Sequence, residues 1–412
     1  MQNIIKILRE RGFIEAMTSE DLDEVCQKPL SLYIGFDPTA ESLHLGNLVG
    51  IMAAAWFQKA GHAVIGLVGG ATGMIGDPGG KSHERNLLDQ ETVERNVAGL
   101  RRSLEPILGK TSIYNNYDWL KKFSMIEFLR DVGRHFRIGT MLSKEMVKTR
   151  LESEEGLSFT EFSYQLLQGY DFYYLHKNHN VSLQIGGSDQ WGNIVAGTEL
   201  VRRKGGDAVY GLTFPLLTRS DGKKFGKSEG GAIWLNRDLL SPYDFYQYLY
   251  NMPDADMGKM LRVFTFLELK EIEEIEARME VEPHSAQKRL AEEVTRIVHG
   301  EEGVQEALRV TNAAKPGAQT ELTAEVLKTL PQALLSSSAV LGKRAVDVLA
   351  EVKLCQSRGE ARRLIAGGGV YLNNAKVDDE HLTLEKNHLV DGKFLLFGVG
   401  KKKKLVISIE QE

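Results

Sequence analysis

The sequence predicts an α/β protein whose first half forms a doubly wound parallel sheet, followed by a helical segment and a small α+β domain. Strand-like and helix-like segments alternate as far as about residue 217, which is typical of a parallel sheet with helices on both faces. Beyond residue 238 the apolar residues recur at helical spacing, most clearly over residues 267–279 and 287–298. These two patterns together indicate more than one domain.

The predicted domain boundaries follow changes in composition along the 412 residues. We expect a sheet domain over residues 1–222, a lysine loop and helical domain over 223–311, a linker over 312–343 and a terminal domain over 344–412. A Pro-Gly pair and three consecutive serines favour the linker. No repeat of fixed period is present in the sequence.

The composition excludes several classes of protein. Apolar residues make up 42% of the chain and charged residues 26%, and the formal net charge is −5. Cys26 and Cys355 are too few for a disulfide scaffold and offer no zinc spacing. The N-terminus lacks the pattern of a signal peptide, and the apolar stretch 63–76 is too short to cross a bilayer. We therefore expect a cytoplasmic protein that binds neither membrane nor DNA.

The first motif joins a predicted strand to a predicted helix. Residues 32–36 have strand composition and end in a turn at 37–39, and residues 46–58 read as a helix. His44 and Asn47 then lie at a helix N-terminus, where free N–H groups and the helix dipole favour phosphate. An ordinary capped turn explains the segment equally well.

The second motif is the lysine loop Lys224-Phe225-Gly226-Lys227-Ser228, about 180 residues further on. Mobile ammonium groups suit the negative charge that develops on a departing pyrophosphate. Taken alone, such a loop is more often a solvated turn. The two motifs make sense together if each contacts one end of a triphosphate.

Two further cations and a polar helix face lie between these two motifs. Lys81 and Arg85 follow the apolar strand 63–68, at the position where an α/β sheet binds a nucleotide. Tyr164, Gln168 and Asp171 have the spacing of one helix face. Such a face is normally solvated, but its Leu and Tyr neighbours suggest that it faces a ligand.

A glycine-rich segment, residues 184–193, follows the predicted strand 181–183. Its paired glycines permit close approach of the backbone to a ligand, and Asp189 is able to accept hydrogen bonds from ribose hydroxyls. A glycine-rich strand end is a weak signal by itself, but the whole ten-residue string is specific.

These segments resemble the ATP-handling motifs of class I aminoacyl-tRNA synthetases, and the sequence between them resembles the bacterial type of tyrosyl-tRNA synthetase. The resemblance is specific over residues 30–240 and looser beyond them. It implies a Rossmann-like catalytic domain that activates L-tyrosine with ATP and transfers the tyrosyl group to tRNA(Tyr). It also implies Mg²⁺ accompanying ATP, no zinc, and a homodimer with an interface near Phe159.

The resemblance implies a role for each matching position. The tyrosine-binding residues would be Tyr33 and Asp171 at the phenol, Asp77, Tyr164 and Gln168 at the ammonium group, Gln190 near the carboxylate and Gln184 in support. The ATP-binding residues would be Gly35, Asp37, Gly187 and Asp189, together with His44, Asn47 and Lys227. The residues acting in the transition state would be Thr39, His44, Asn47, Lys81, Arg85, Lys224 and Lys227.

One position departs from the family pattern. The first motif usually ends in histidine, and this chain has Asn47 there. An amide NH₂ group is able to replace an imidazole N–H as a hydrogen-bond donor, so we expect activity to be retained.

The terminal domain has a second resemblance, to the RNA-binding domain named after ribosomal protein S4. Arg358, Arg362 and Arg363 lie along one side of a predicted helix, where they are placed to contact a phosphate backbone. A generic basic amphipathic helix is the alternative. Residues 341–412 carry 13 Lys and Arg against 10 Asp and Glu, so their net charge is positive, as RNA binding requires.

The family resemblance also places three basic residues of the sheet domain, Arg202, Arg203 and Lys204, near the tRNA acceptor stem. Two alternatives stay open on the sequence. Tryptophanyl-tRNA synthetase shares the architecture, but it is not expected to offer Tyr33 and Asp171 to a phenol. A non-catalytic RNA-binding descendant would have no reason to keep all the proposed catalytic residues.

Overall fold

The structure is a computed structural model that describes residues 3–78, 88–109, 111–154, 156–220, 225–228, 231–319, 322–400 and 403–410. The chain forms two compact units. The first comprises Met1–Leu240 and Leu249–Val298, and the second comprises Ser241–Tyr248 and His299–Glu412. In the part of the chain that is described, no helix is both long enough and apolar enough to span a membrane.

The first unit is built on a six-stranded sheet. Its strands are β1 Ala16–Met17, β2 Ser31–Phe36, β3 Ala63–Val68, β4 Ser112–Asn115, β5 Val181–Gly187 and β6 Tyr210–Phe214. The spatial order is β1-β6-β5-β2-β3-β4, and all neighbours are parallel except β1 and β6. The strand order reverses between β2 and β5, which is where doubly wound sheets bind ligands. The predicted fold class is confirmed.

Fifteen α-helices lie within the first 313 residues, counting only the parts of the chain that are described. They are α1 Ile4–Glu10, α2 Leu22–Val25, α3 Leu45–Lys59, α4 Thr72–Ile75, α5 Gln90–Leu108, α6 Tyr117–Leu120, α7 Met125–Asp131, α8 Ile138–Leu142, α9 Glu145–Leu151, α10 Phe159–His179, α11 Trp191–Arg203, α12 Pro242–Tyr250, α13 Met257–Phe264, α14 Leu269–Arg278 and α15 Ser285–Ala313. Helix α15 is interrupted at Gly300, whose φ of 70° is not helical. A two-stranded ribbon, β7 Lys227–Ser228 and β8 Gly231–Ala232, lies between α11 and α12 in the sequence.

Helix α3 follows β2 and is buried along most of its length. Its residues from Leu48 to Phe57 are apolar on every face, which is typical of a helix enclosed by a protein core. His44 is its N-cap, because the Gly46 N–H donates to His44 Nδ1 and the His44 N–H donates to Asn47 Oδ1. The beginning of this helix is therefore held at the end of β2, beside the sheet's switch point.

The second unit contains a five-stranded sheet with order β11-β10-β12-β13-β9. The strands are β9 Gln332–Ser336, β10 Val370–Leu372, β11 Ala375–Lys376, β12 Phe394–Val399 and β13 Lys403–Glu410. The helices are α16 Ala324–Lys328, α17 Ser337–Val340, α18 Ala345–Glu351 and α19 Arg358–Ala366. Buried residues of α18, α19, β10 and β12 form one apolar core, so this part is a small α+β domain as expected.

The prediction of a linker over residues 312–343 was wrong for much of its length. This segment contains α16, β9 and α17, and β9 pairs in parallel with β13. Val326 and Leu327 of α16 pack in a buried cluster with Phe394 and Leu396 of β12. Serine, proline and glycine signals report local turns, but they do not reveal pairing with a strand some 70 residues away.

Candidate active site

A cavity of about 710 Å³ opens in the first unit at the carboxyl ends of β2 and β5. Its size is that of a pocket for a small molecule. Fourteen of the residues singled out from the sequence line it: Tyr33, Gly35, Asp37, Thr39, His44, Asn47, Asp77, Tyr164, Gln168, Asp171, Gln184, Gly187, Asp189 and Gln190. They come together because the ends of parallel strands meet at one edge of the sheet.

Tyr33 and Asp171 form one polar end of this cavity. Tyr33 is fully buried, and its hydroxyl has no hydrogen-bond partner among the described residues. Asp171 is 1% exposed and accepts hydrogen bonds from Asn116 Nδ2 at 2.9 Å and from Trp119 Nε1 at 2.8 Å. Buried polar groups normally have hydrogen-bond partners. A ligand hydroxyl in this cavity would be able to hydrogen-bond to the Tyr33 hydroxyl and to the Asp171 carboxylate.

The surroundings of Tyr33 and Asp171 shift both pKa values. Burial raises the pKa of Asp171 to about 7, although the hydrogen bonds from Asn116 and Trp119 oppose the shift. Burial, and then the charge of Asp171, raise the pKa of Tyr33 well above its usual value. The tyrosine hydroxyl therefore stays protonated at neutral pH, whereas the carboxyl group titrates there.

Further hydrogen-bond acceptors line the same cavity. Asp77 is 4% exposed, and its Oδ2 accepts from Gln190 Nε2 at 2.6 Å. The Oε1 atoms of Gln168 and Gln184 are buried and have no partner within the described ranges. A carboxylate and two open amide oxygens suit an ammonium group, which has three donors and no acceptor.

Asp37, directly after β2, accepts two hydrogen bonds inside the cavity. The Tyr164 hydroxyl donates to its Oδ2 at 2.8 Å, and the Thr72 hydroxyl donates to its Oδ1 at 2.9 Å. Burial, and then the charges of Asp37 and Asp77, raise the pKa of Tyr164 well above its usual value. The Tyr164 hydroxyl therefore stays protonated at neutral pH, and its hydrogen bond to Asp37 joins α10 to the end of β2.

The segment that follows the lysine loop is joined by backbone hydrogen bonds to the start of α3, and its Ile233 N–H donates to the Gly226 carbonyl of the loop at 2.9 Å. The Leu45 N–H donates to the Ile233 carbonyl at 2.8 Å, and the Leu235 N–H donates to the Leu43 carbonyl at 2.9 Å. A Cβ on Gly226 would lie 2.8 Å from the backbone nitrogen of Gly46. The two motifs, 180 residues apart in sequence, are therefore neighbours, as the triphosphate hypothesis required.

The side chains of four proposed catalytic cations lie outside the described part of the structure. Lys81, Arg85 and Lys224 lie outside the described residues, and only the backbone of Lys227 is described, in β7. Asn47 does line the cavity, but its Oδ1 is used in capping α3. Its NH₂ group is the part that remains to act as a donor, as proposed from the sequence.

Comparison with known proteins shows the family of this chain. Residues 25–314 match the family model described as tRNA synthetases class I (W and Y), and residues 323–407 match the model of the tyrosine–tRNA ligase SYY-like C-terminal domain. The tyrosine–tRNA ligase of Protochlamydia amoebophila is 52% identical, over 100% of both chains. The chloroplastic/mitochondrial tyrosine–tRNA ligase of Arabidopsis thaliana is 50% identical, over 99% of this chain and 84% of the relative.

This chain belongs to the class I tyrosyl-tRNA synthetases.

A solved member of the family has the same fold. The C-terminally truncated mitochondrial tyrosyl-tRNA synthetase of Aspergillus nidulans is 32% identical and superposes with a TM-score of 0.67, over 74% of this chain and 92% of that one. The tryptophanyl alternative loses support, because the match over residues 323–407 is to a domain of the tyrosine ligase. The resemblance of that domain to ribosomal protein S4 stays a prediction.

The basic residues that the synthetase resemblance assigned to tRNA lie on the surfaces of both units. In the first unit Arg202 and Arg203 form ion pairs with Glu199, and Lys204 Nζ donates to the Asp131 carbonyl at 3.2 Å. Hydrogen bonds from Arg202, and then from Arg203, outweigh the effect of burial and lower the pKa of Glu199 to about 2.

In the second unit these basic residues lie on α19. Arg358 pairs with Asp347 at 2.8 Å and Arg362 with Glu380 at 3.9 Å, while Arg363 is exposed. Such surface ion pairs are weak and exchange readily for a phosphate.

Sequence reasoning missed three residues of the synthetase site, namely Thr72, Asn116 and Trp119. Thr72 and Asn116 line the cavity, and Trp119 donates a hydrogen bond to Asp171. One signal was present: Asn115 and Asn116 come at the carboxyl end of β4, the same edge of the sheet as the other polar residues. No comparable sequence signal marks Thr72 or Trp119.

Proposed function

We propose that this synthetase is a tyrosine–tRNA ligase that activates L-tyrosine with ATP and then charges tRNA(Tyr). The observation that supports the choice of tyrosine is the buried Tyr33 hydroxyl without a partner in the described chain, which lines the same cavity as Asp171. Phenylalanine would leave the Tyr33 hydroxyl without a partner and would offer no further donor to Asp171, and an unmade hydrogen bond to a buried polar group is costly. The cavity therefore favours a phenol over a bare ring.

In the first step a carboxylate oxygen of tyrosine attacks the α-phosphorus of ATP, the bond from that phosphorus to the bridging oxygen of the β-phosphate breaks, and pyrophosphate leaves. ATP enters as its Mg²⁺ complex, since this ion is usually held by substrate phosphates and water. The reaction needs orientation and charge stabilisation more than it needs a protein nucleophile.

The proposed residue roles follow the cavity. Tyr33 and Asp171 bind the phenol. The ammonium group is bound by Asp77, Tyr164 and Gln168, with Gln184 and Gln190 beside it. The nucleotide contacts Gly35, Asp37, Gly187 and Asp189, and the phosphates are met by Thr39, His44, Asn47, Lys81, Arg85, Lys224 and Lys227. Gly35 suits this role, because a Cβ there would meet nothing within 4 Å and the space beside β2 is open to a ligand.

In the second step a hydroxyl of the terminal ribose of tRNA attacks the tyrosyl carbonyl carbon, an ester forms, and AMP leaves. We assign tRNA contacts to Arg202, Arg203 and Lys204 in the first unit and to Arg358, Arg362 and Arg363 in the second. A chain with a net charge of −5 needs such local basic surfaces to approach a polyanion. The cytoplasm, where tRNA and ATP are available, is the proposed location.

We also propose a homodimer that covers the exposed apolar residues around Phe159. Phe159 is 71% exposed at the start of α10. Helix α7 has no buried residue among those described, while Met125 and Ile126 on it are 71% and 72% exposed. Large apolar side chains that stay exposed together on one helix are typical of a protein interface.

The deciding experiment is exchange of labelled pyrophosphate into ATP without tRNA, with tyrosine, phenylalanine or tryptophan as the amino acid. We expect exchange with tyrosine and at most a trace with the other two. Charging of tRNA(Tyr) is then measured on the same protein. A folded protein that binds tRNA but supports no exchange would contradict the proposal and favour a non-catalytic RNA-binding protein.

A further inference from the structure

A buried row of hydrogen bonds connects the phenol end of the cavity to Asp37. Asn116 Nδ2 donates to Asp171 Oδ2 at 2.9 Å and to Thr72 Oγ1 at 3.0 Å. The Thr72 hydroxyl donates in turn to Asp37 Oδ1 at 2.9 Å. Asn116 is 0% exposed and Thr72 is 2% exposed, so solvent does not offer these groups substitute partners.

The direction of each bond follows from the orientation of the Asn116 amide. Its Oδ1 accepts from the Ala71 backbone N–H at 2.8 Å, so Nδ2 with its two protons faces Asp171 and Thr72. One amide proton goes to each of these residues. The Thr72 oxygen therefore accepts from Asn116, and its single proton is donated to Asp37.

The backbone around Thr72 is shaped to allow this contact. A Cβ on Gly69 would lie 2.2 Å from both Asp37 Oδ1 and Thr72 Oγ1, so only glycine leaves room for the hydrogen bond between them. Asp37 and Asp171 belong to different elements, the end of β2 and helix α10. Thr72 and Asn116 are the described groups that join these two carboxylates.

We propose that Thr72 is a positioning residue whose single hydroxyl orients both Asp37 and Asp171. The inference rests on the proposed ligase function, in which Asp37 faces the nucleotide and Asp171 the phenol. Thr72 accepts a hydrogen bond from the Asn116 amide and so keeps that amide directed at Asp171. Its hydroxyl also donates to the Asp37 carboxylate, which accepts a second hydrogen bond from Tyr164. One hydroxyl then contributes both to selection of tyrosine and to placement of ATP.

The test compares Thr72→Val with Thr72→Ser in pyrophosphate exchange. Valine keeps the shape but removes the acceptor for one Asn116 proton and one of the donors to Asp37, and hydrogen bonds to charged groups correspond to roughly 10- to 100-fold effects. We expect T72V to lower kcat/KM for tyrosine by about that factor, to raise the KM for ATP, and to lower the preference for tyrosine over phenylalanine about tenfold. T72S, which keeps the hydroxyl and removes a methyl group, should stay within about threefold of the wild type.

Thr295→Val is the matched control. Thr295 is fully buried in α15, and its hydroxyl has no partner in the described part of the chain, so T295V should behave as the wild type. Thermal unfolding confirms that each variant folds; Thr72→Ala replaces T72V if that variant does not. A T72S protein as impaired as T72V would indicate packing and overturn the proposal, and so would a T72V effect confined to one substrate.

The proposed function and the role of Thr72 fail in different ways. Absence of tyrosine-dependent exchange in the wild type would contradict the ligase function. Separate calorimetric titrations with tyrosine and with ATP would still decide the role of Thr72, because they need no turnover. Equal affinities of T72V and wild type for both ligands would overturn it, and weaker binding of both, restored in T72S, would support it.

Discussion

The buried Tyr33 hydroxyl makes no hydrogen bond to the described protein, and we expect it to gain a partner when a ligand binds. Leaving a buried polar group unpaired costs about 1–3 kcal/mol, and its hydroxyl has no partner among the residues described. We therefore expect this hydroxyl to lower the stability of the free protein and a bound phenol to restore it. Sites of this kind trade stability for recognition.

The first prediction is that Tyr33→Phe stabilises the free protein and weakens tyrosine binding. Removal of the unpaired hydroxyl should raise Tm by about 1–3 °C, while affinity for tyrosine should fall about tenfold. Thermal unfolding without ligand and calorimetric titration measure the two effects. The control is Tyr164→Phe, which removes the donor to Asp37 and should lower Tm. A lower Tm for Y33F than for Y164F would contradict this account.

The second prediction concerns the pH dependence of tyrosine binding, which follows from the raised pKa of Asp171, about 7. In the free folded protein this carboxyl group releases its proton only as the pH rises through that value. A phenol donates best to the charged carboxylate, so binding at lower pH must release a proton. Affinity should fall about tenfold from pH 8 to pH 6. Asp171→Asn should abolish this dependence, and an equally steep dependence in that variant would assign it to another group.

At the scale of elements, the lysine loop depends on one close approach between backbones. Gly226 has a φ of 76°, and a Cβ on it would approach the backbone nitrogen of Gly46 to 2.8 Å. Phe225 next to it stacks on Phe264 at 5.3 Å, which anchors this part of the loop. The described part of the loop, Phe225 and Gly226, thus lies against Phe264 and the start of α3.

The third prediction is that Gly226→Ala lowers kcat for pyrophosphate exchange at least tenfold, with little change in affinity for tyrosine. The added methyl group would push the loop away from α3, where charge stabilisation is needed. Steady-state kinetics with tyrosine and ATP varied separately measure the effect. Gly231→Ala is the control, because Gly231 also has a positive φ but a Cβ there would meet nothing within 4 Å. Equal decreases in both variants would point to backbone strain alone.

The fourth prediction concerns the dimer. Phe159→Asp should convert the protein to a monomer, since an unpaired charge is costly to bury in an apolar interface. Sedimentation velocity at micromolar concentration measures the change. Val281→Asp is the control, because Val281 is 79% exposed and lies in the sequence between α14 and α15. A dimer that tolerates F159D would place the interface elsewhere.

At the scale of the whole molecule, an acidic chain has to bind an acidic polymer. The net charge is −5, so RNA affinity must come from local clusters of Lys and Arg that displace counterions. All the residues that line the cavity belong to the first unit, and this is where we propose that tyrosine is activated. Changes in the second unit should therefore separate RNA binding from the chemistry of activation.

The fifth prediction is that Arg358→Ala combined with Arg362→Ala weakens tRNA binding and leaves pyrophosphate exchange unchanged. The slope of log K against log salt should fall by about one for each RNA phosphate that the double variant no longer neutralises. Filter binding at several salt concentrations measures the slope. Lys328→Ala, an exposed lysine on α16, is the matched control. An unchanged slope in the double variant would place the RNA surface elsewhere.

Much of the fold and of the site could be predicted because the signals are local. The predicted strand 63–68 and helix 46–58 agree with β3 and α3, because runs of apolar residues between turn residues report secondary structure directly. Fourteen of the residues that the family resemblance assigned to the site line one cavity, because residues that follow parallel strands or share a helix face meet at one edge of the sheet. For these features, neighbouring residues carry the information.

The tertiary structure decided what depends on distant partners. β9 is a strand because β13 offers it a partner, and the structure makes the predicted linker part of a sheet. Asn116 and Trp119 belong to the site because packing brings them to Asp171, more than 50 residues later. A hydrogen bond requires a partner at about 3 Å, and chain position does not report such distances. The sequence by itself therefore determined the elements and the binding motifs, whereas the pairing of buried polar groups was settled only by three-dimensional packing.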